Sequence, residues 1–127
     1  MITRSYDEAY LPPAPMLKLY LITPEWGLRS EFVSAMVDTG ADGTLVPVEY
    51  LHTIQATAEG HGRLRSQWGE PRLVNLYLVD LEIEGFTLPG IWVIGDDTGQ
   101  EIVLGCNVLN RLKLLLDVPK MTTTLRN

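Results

Sequence analysis

One acid in this chain sits where it could do chemistry. Asp38 follows the apolar pair Met36-Val37 and is followed by Thr39 and Gly40. An apolar strand entering the acid would carry its carboxylate into a semi-buried place, where an isolated charge is costly. Two such carboxylates brought together can share one proton, so that one acts as base while the other stays acid. That device activates a water against a peptide carbonyl without a metal or a covalent intermediate. Thr39 adds a hydroxyl able to bond backbone or a partner copy, and Gly40 permits a tight turn and a close backbone approach. The sequence offers a single convincing copy, so the second carboxylate is expected from a second subunit.

Two other readings of the same stretch stand beside this one. Asp, Thr and Gly are ordinary turn residues, and an isolated triplet is a weak signal. Asp38, Asp42, Gly43 and Glu49 also fall at positions one, five, six and twelve of a helix–loop–helix calcium loop. Gly40 then takes the place of an oxygen ligand at position three, the preceding segment reads as a strand, and Pro47 interrupts the exiting helix. The calcium reading therefore ranks below the carboxylate-pair reading. A second triplet, Asp97-Thr98-Gly99, follows the polar Gly95-Asp96 rather than an apolar strand. It is assigned to a connecting turn.

The elements that must position Asp38 are mostly strands. Leu17 to Ile22 and Ser30 to Val37 read as strands, Thr44 to Val46 as a short one, and Pro47 to Leu51 as a short helix opened by proline. Arg72 to Glu84 alternates in part, turns at Glu84-Gly85, and returns through Phe86 to Ile94, with Pro89-Gly90 marking a bulge or edge. Gln55 to Pro71, poor in aliphatics and rich in glycine and charge, reads as a mobile hairpin with its tip near Gln67 to Glu70. Ile102-Val103-Leu104-Gly105 is a buried run ending in glycine. Cys106 to Leu112 suits one helical face with Asn107 as cap. Lys113 to Asp117 and Met121 to Leu125 are terminal strands. Residues 1–16, with Pro12, Pro13 and Pro15, read as an extended arm that lies over the domain or is cleaved off. Having few aliphatics to bury, it is expected to be dispensable for folding.

Composition narrows the class. The chain has 127 residues, 46% of them hydrophobic, enough for one domain with a real core. Net charge is −6, the sequence pI is about 4.8, and no basic cluster stands out, which argues against nucleic acid and anionic membrane partners. Cys106 is unpaired, His52 and His61 lack a third metal ligand, and no metal or other cofactor is called for. No apolar run reaches membrane-spanning length, and the N-terminus shows no basic-then-apolar signal pattern. A reducing, cytoplasmic setting is the expectation.

Taken together, Met36-Val37-Asp38-Thr39-Gly40-Ala41 and Val103-Leu104-Gly105 with the helix after it resemble the retropepsin-like aspartic protease family. The resemblance covers roughly Leu17 to Leu125 in element order and implies a mostly β, closed acid-protease barrel with one short C-terminal helix over residues 17–127. It implies an aspartic endopeptidase, a hydrolase whose active site forms at a homodimer interface and whose partner is a peptide or protein substrate. Asp38 would be the catalytic residue, supported by Thr39 and Gly40, with Thr39 bonding across subunits. Ala41 and Asp42 would bind substrate backbone from the floor, Trp68 and Gly69 would belong to a flap, and Val103, Leu104 and Gly105 would form the second motif. Retroviral members carry an arginine directly after that glycine, paired with the acid that corresponds to Asp42. Here the position is Cys106, which leaves Asp42 to Arg111 or to water. A non-catalytic binding or dimerisation module on the same fold is the alternative, with a calcium-binding loop protein behind it.

Overall fold

The computed structural model describes residues 1–65 and 69–127. Its strands run in the order β1 (Ile2–Ser5), β2 (Met16–Ile22), β3 (Val33–Val37) and β4 (Leu45–Pro47), followed by helix α1 (Val48–Thr53). Then come β5 (Ala58–Leu64), β6 (Arg72–Ile83), β7 (Phe86–Asp96), β8 (Ile102–Leu104), helix α2 (Cys106–Leu109), β9 (Lys113–Asp117) and β10 (Thr122–Arg126).

Strand alternation builds the core. In β2, Leu17, Leu19 and Leu21 are fully buried while Lys18, Tyr20 and Ile22 face outward, the period of two that a half-buried strand requires. Val79, Leu81 and Ile83 of β6 join them, with Val46, Leu51, Ile54, Ile102 and Leu104. The order β2-β3-β8-β4-β7-β6 closes on itself because β6 also pairs with β2, giving a six-stranded barrel. Closure leaves none of these six with a wholly free edge. Strand β5 hangs outside the ring, paired only with β6. The fold is thus the mostly β, closed barrel expected, with the short helix α2 near its C-terminal end.

Two turn readings hold. Glu84 (φ 48) and Gly85 (φ 92) both take positive φ between β6 and β7, as a two-residue hairpin turn needs. At Pro89-Gly90 the register shifts opposite Val79 to Leu81, Gly90 has φ 64, and its N–H donates to Asp80 Oδ1 at 2.9 Å. That is the bulge proline favours.

The N-terminal segment is more integrated than its composition suggests. Strand β1 pairs antiparallel with β10, and β10 with β9, forming a separate three-stranded sheet. Arg4 Nε and Nη2 donate to Glu84 at 2.7 and 2.9 Å, and the Glu84 side chain is only 2% exposed. Further along, a hydrogen bond to Glu101 pushes the Tyr10 phenol up to about 12. Ala14 and Met16 are buried. Backbone pairing and a charge pair, rather than aliphatic burial, tie this segment down, which composition alone could not reveal. Of the two fates expected for the arm, it takes the first and lies against the domain.

Candidate active site

Strand β3 delivers Asp38 as the chain leaves the barrel wall. Parallel pairing sets Val37 beside Leu104, and the Asp38 N–H donates to Leu104 O at 3.0 Å. The carboxylate is half-buried, and its Oδ1 accepts the Gly40 N–H at 2.9 Å. A Cβ on Gly40 would lie 3.3 Å from that oxygen, so glycine keeps the turn tight. Thr39 and Gly40 themselves are exposed.

The second motif braces this loop from below. Ala41 O accepts the Cys106 N–H at 2.7 Å, and Asp42 O accepts the Asn107 N–H at 3.0 Å. The first N–H groups of α2, which have no partner within their own helix, are thereby satisfied by the loop carbonyls. Gly105 makes the approach: a Cβ there would fall 2.0 Å from Gly43 O and 2.9 Å from Ala41 O. Buried Thr44 links the two segments, its Oγ1 accepting the Gly105 N–H at 3.1 Å and donating to Asn107 Oδ1 at 2.7 Å. Asn107 Nδ2 in turn donates to Trp92 O at 3.0 Å. Val103 and Leu104 pair with β3 and β4 and hold the glycine in place.

Several expectations need correction here. Asn107 is no helix cap: the cap position is Gly105, without a side-chain cap bond, and the Asn107 amide is spent on Thr44 and Trp92. Thr44 carries the side-chain link, and a hydroxyl directly before an apolar strand is the sequence signal that marks it. Asp42 is exposed and, like Arg111, forms no salt bridge among the described residues. Cys106, in place of the arginine, directs its thiol to Thr39 O at 3.4 Å. Residues 38–49 are entered from strand β3 and interrupted by strand β4, so they do not form the helix–loop–helix of a calcium site. Gly69 lies in the exposed bend joining β5 to β6, and Trp68 lies outside the described residues.

The second triplet forms the turn after β7. Asp96 Oδ1 accepts the Thr98 N–H and hydroxyl at 3.1 Å each and the Gly99 N–H at 3.0 Å. Burial raises the Asp96 carboxyl, but these donors and the Arg72 charge together hold it below the ordinary carboxylate range. Asp97 is 77% exposed and lies 3.8 Å from the Arg72 guanidinium.

A cavity of about 480 Å³ opens over the loop, bounded by Gly40 to Gly43, Leu45 and Ile94 on one side and Arg63 to Arg65 on the other. Strand β5 therefore overhangs the loop that carries Asp38. A larger cavity of about 690 Å³ lies between α1, Ser30-Glu31 and the Asp96–Gln100 turn and touches none of residues 38–44. The smaller of these two cavities is the one beside the Asp38 loop.

Comparison with known proteins agrees with this geometry. Residues 29–111 match the family described as "gag-polyprotein putative aspartyl protease". Among solved structures, the chain is similar to a retropepsin-like aspartic protease from Rickettsia conorii, with a TM-score of 0.64 and 15% identity. The alignment covers 98% of this chain and 88% of that one. No curated protein matches the sequence.

Proposed function

Since the chain belongs to the retropepsin-like family of aspartic proteases, we propose that it is an endopeptidase whose catalytic water lies between two Asp38 carboxylates, one from each subunit of a homodimer. The observation that carries this reading is the single Asp38 loop, half-buried at its acid, exposed at Thr39 and Gly40, and locked to α2 by backbone bonds. One protomer supplies half of a water-activating pair. A two-fold axis beside Thr39 would bring the second half and let each threonine hydroxyl bond across the axis.

The charged carboxylate of the pair takes a proton from the water as its oxygen attacks the scissile carbonyl. The protonated partner donates to the carbonyl oxygen, and the proton held by the base then passes to the leaving nitrogen. Backbone groups of Gly40 and Ala41 and the Asp42 carboxylate offer bonds to an extended substrate along the floor. The β5–β6 hairpin acts as the flap that covers it and excludes water. Support for the dimer comes from the sheet β1-β10-β9, whose outer strands β1 and β9 each keep an unpaired edge. Apolar side chains lie nearby at Ile2, Leu115, Val118 and Met121, all exposed in the protomer.

The test pairs sedimentation with cleavage of a peptide library over a dilution series. Asp38→Asn should abolish cleavage, Asp97→Asn should keep most of it, and specific activity should fall as the dimer dissociates. The rate should follow a bell with pH, because the working pair holds one proton. Equal loss from both variants, or a monomer with concentration-independent activity, defeats the reading. A stable dimer that cleaves nothing would leave the non-catalytic module.

A further inference from the structure

Resting on the reading of Asp38 as the proteolytic centre, we propose that the cavity beside it is a subsite selective for a glutamate side chain of the substrate, with Arg63 and Arg65 as the specificity-determining residues. The cavity has apolar walls at Leu45, Leu64 and Ile94, the Asp42 carboxylate at its floor, and the two arginines at its hairpin rim. Arg63 on β5 and Arg65 just past its end flank Leu64 at the free edge of the seven-stranded sheet, so long side chains can bend round that edge toward the space below.

Arg4, Arg29 and Arg72 are each paired with a carboxylate, whereas Arg63, Arg65, Arg111 and Arg126 form no salt bridge among the described residues. Of these four, Arg63 and Arg65 line the cavity. The neighbouring residues 66–68 are Ser, Gln and Trp and supply no carboxylate. In a chain of net charge −6, two guanidinium groups two residues apart on one cavity are a local concentration of positive charge. Arginine presents a planar fork that fits a carboxylate through two parallel bonds.

The chemistry of the walls selects the ligand. Methylene groups of glutamate lie against Leu45, Leu64 and Ile94, and its carboxylate reaches the rim. Asp42, an acceptor only, repels an acid held near the floor and so favours the side chain long enough to reach the hairpin. Glutamine fits the same space without the charge. Lysine meets like charge at the rim and can pair only with Asp42.

The probes are fluorogenic peptides with apolar residues on both sides of the scissile bond. Each further position carries Glu, Gln or Lys in turn. Wild type should show one position where Glu exceeds Gln in kcat/KM by about tenfold, as expected for a charge-assisted bond at a partly exposed site, with the ratio shrinking in raised salt. Arg63→Gln/Arg65→Gln should bring the ratio near unity, and Arg63→Lys/Arg65→Lys should keep part of it. Binding of the same peptides to Asp38→Asn, read by fluorescence anisotropy, separates recognition from cleavage. Cleavage with no glutamate preference in either readout overturns the subsite and leaves the endopeptidase standing, as does a preference that survives Arg63→Gln/Arg65→Gln. Glutamate-selective binding without cleavage by wild type upholds the subsite and overturns the endopeptidase.

Discussion

Replacing Gly105 by alanine should damage the Asp38 loop more than any conservative change elsewhere in the barrel. The new Cβ would sit 2.0 Å from Gly43 O, 2.6 Å from Gly43 C and 2.9 Å from Ala41 O. All three are backbone atoms, so no rotamer can relieve the overlap, and the loop must retreat by about 1 Å in a close-packed interior. Three bonds depend on that contact: Cys106 N–H to Ala41 O, Asn107 N–H to Asp42 O, and Gly105 N–H to Thr44 Oγ1. At about 1 kcal/mol net each, with part of the overpacking cost added, the expected loss is about 3–5 kcal/mol. For a domain of this length that corresponds to a fall in Tm of about 10–20 °C. Calorimetry and urea unfolding would measure it, and kcat/KM should collapse even in whatever fraction stays folded. The contrasting variant is Gly99→Ala, whose Cβ would overlap the Asp96 side chain in the distant turn and should spare most activity. A Gly105→Ala protein with unchanged Tm and a kcat/KM within about twofold of wild type would refute the bracing argument.

Other outcomes follow from single contacts. Thr44→Val keeps the shape but strands the buried Gly105 N–H, while the exposed Asn107 amide turns to water, so urea unfolding should register a loss of about 1–3 kcal/mol. Asp96 has its carboxyl held low in the fold, so its contribution is present above the ordinary Asp value near 3.9 and is lost as pH falls through the lower folded value. Asp96→Asn should therefore lower Tm at neutral pH and flatten its decline on the acid side, read by melts across that range. Arg4→Ala leaves the nearly buried Glu84 with only the Lys18 N–H at 3.2 Å. Breaking a fully buried pair costs about 3–5 kcal/mol, and the partial exposure of Arg4 brings the expected loss to about 2 kcal/mol by urea unfolding.

What the sequence made legible were the features written in alternation and turn chemistry. Strands β2, β6 and β7 carry alternating buried aliphatics, and Glu84-Gly85 and Pro89-Gly90 announce a hairpin turn and a bulge. The apolar entry separated Asp38 from Asp97, and the structure puts the first on the loop above α2 and the second in a polar turn. Elements held by other means were harder to read. Strand β1 is fastened by ladder bonds and an ion pair with a residue eighty positions away. Strand β5 has little aliphatic content because Gly60 and Gly62 lie against Leu76, so its apolar contact is supplied by the partner strand. The Asn107 side chain looked like a cap because its bonds to Thr44 and Trp92 exist only in the folded barrel.

The change from arginine to cysteine after Gly105 takes its meaning from that last network. An exposed ion pair between such an arginine and Asp42 would contribute about 0–1 kcal/mol. In its absence the loop still has two backbone bonds to the start of α2 and the buried Thr44 hydroxyl bonded on both sides. Each of these is of comparable or greater weight, and the buried ones are costly to leave unmade. The balance therefore lies with the backbone, and losing the charge pair does not unfasten the loop. Its effect falls on the exposed Asp42 carboxylate, which is left unclaimed at the floor of the cavity beside Asp38. The position of Cys106 therefore bears on that exposed carboxylate more than on the fold.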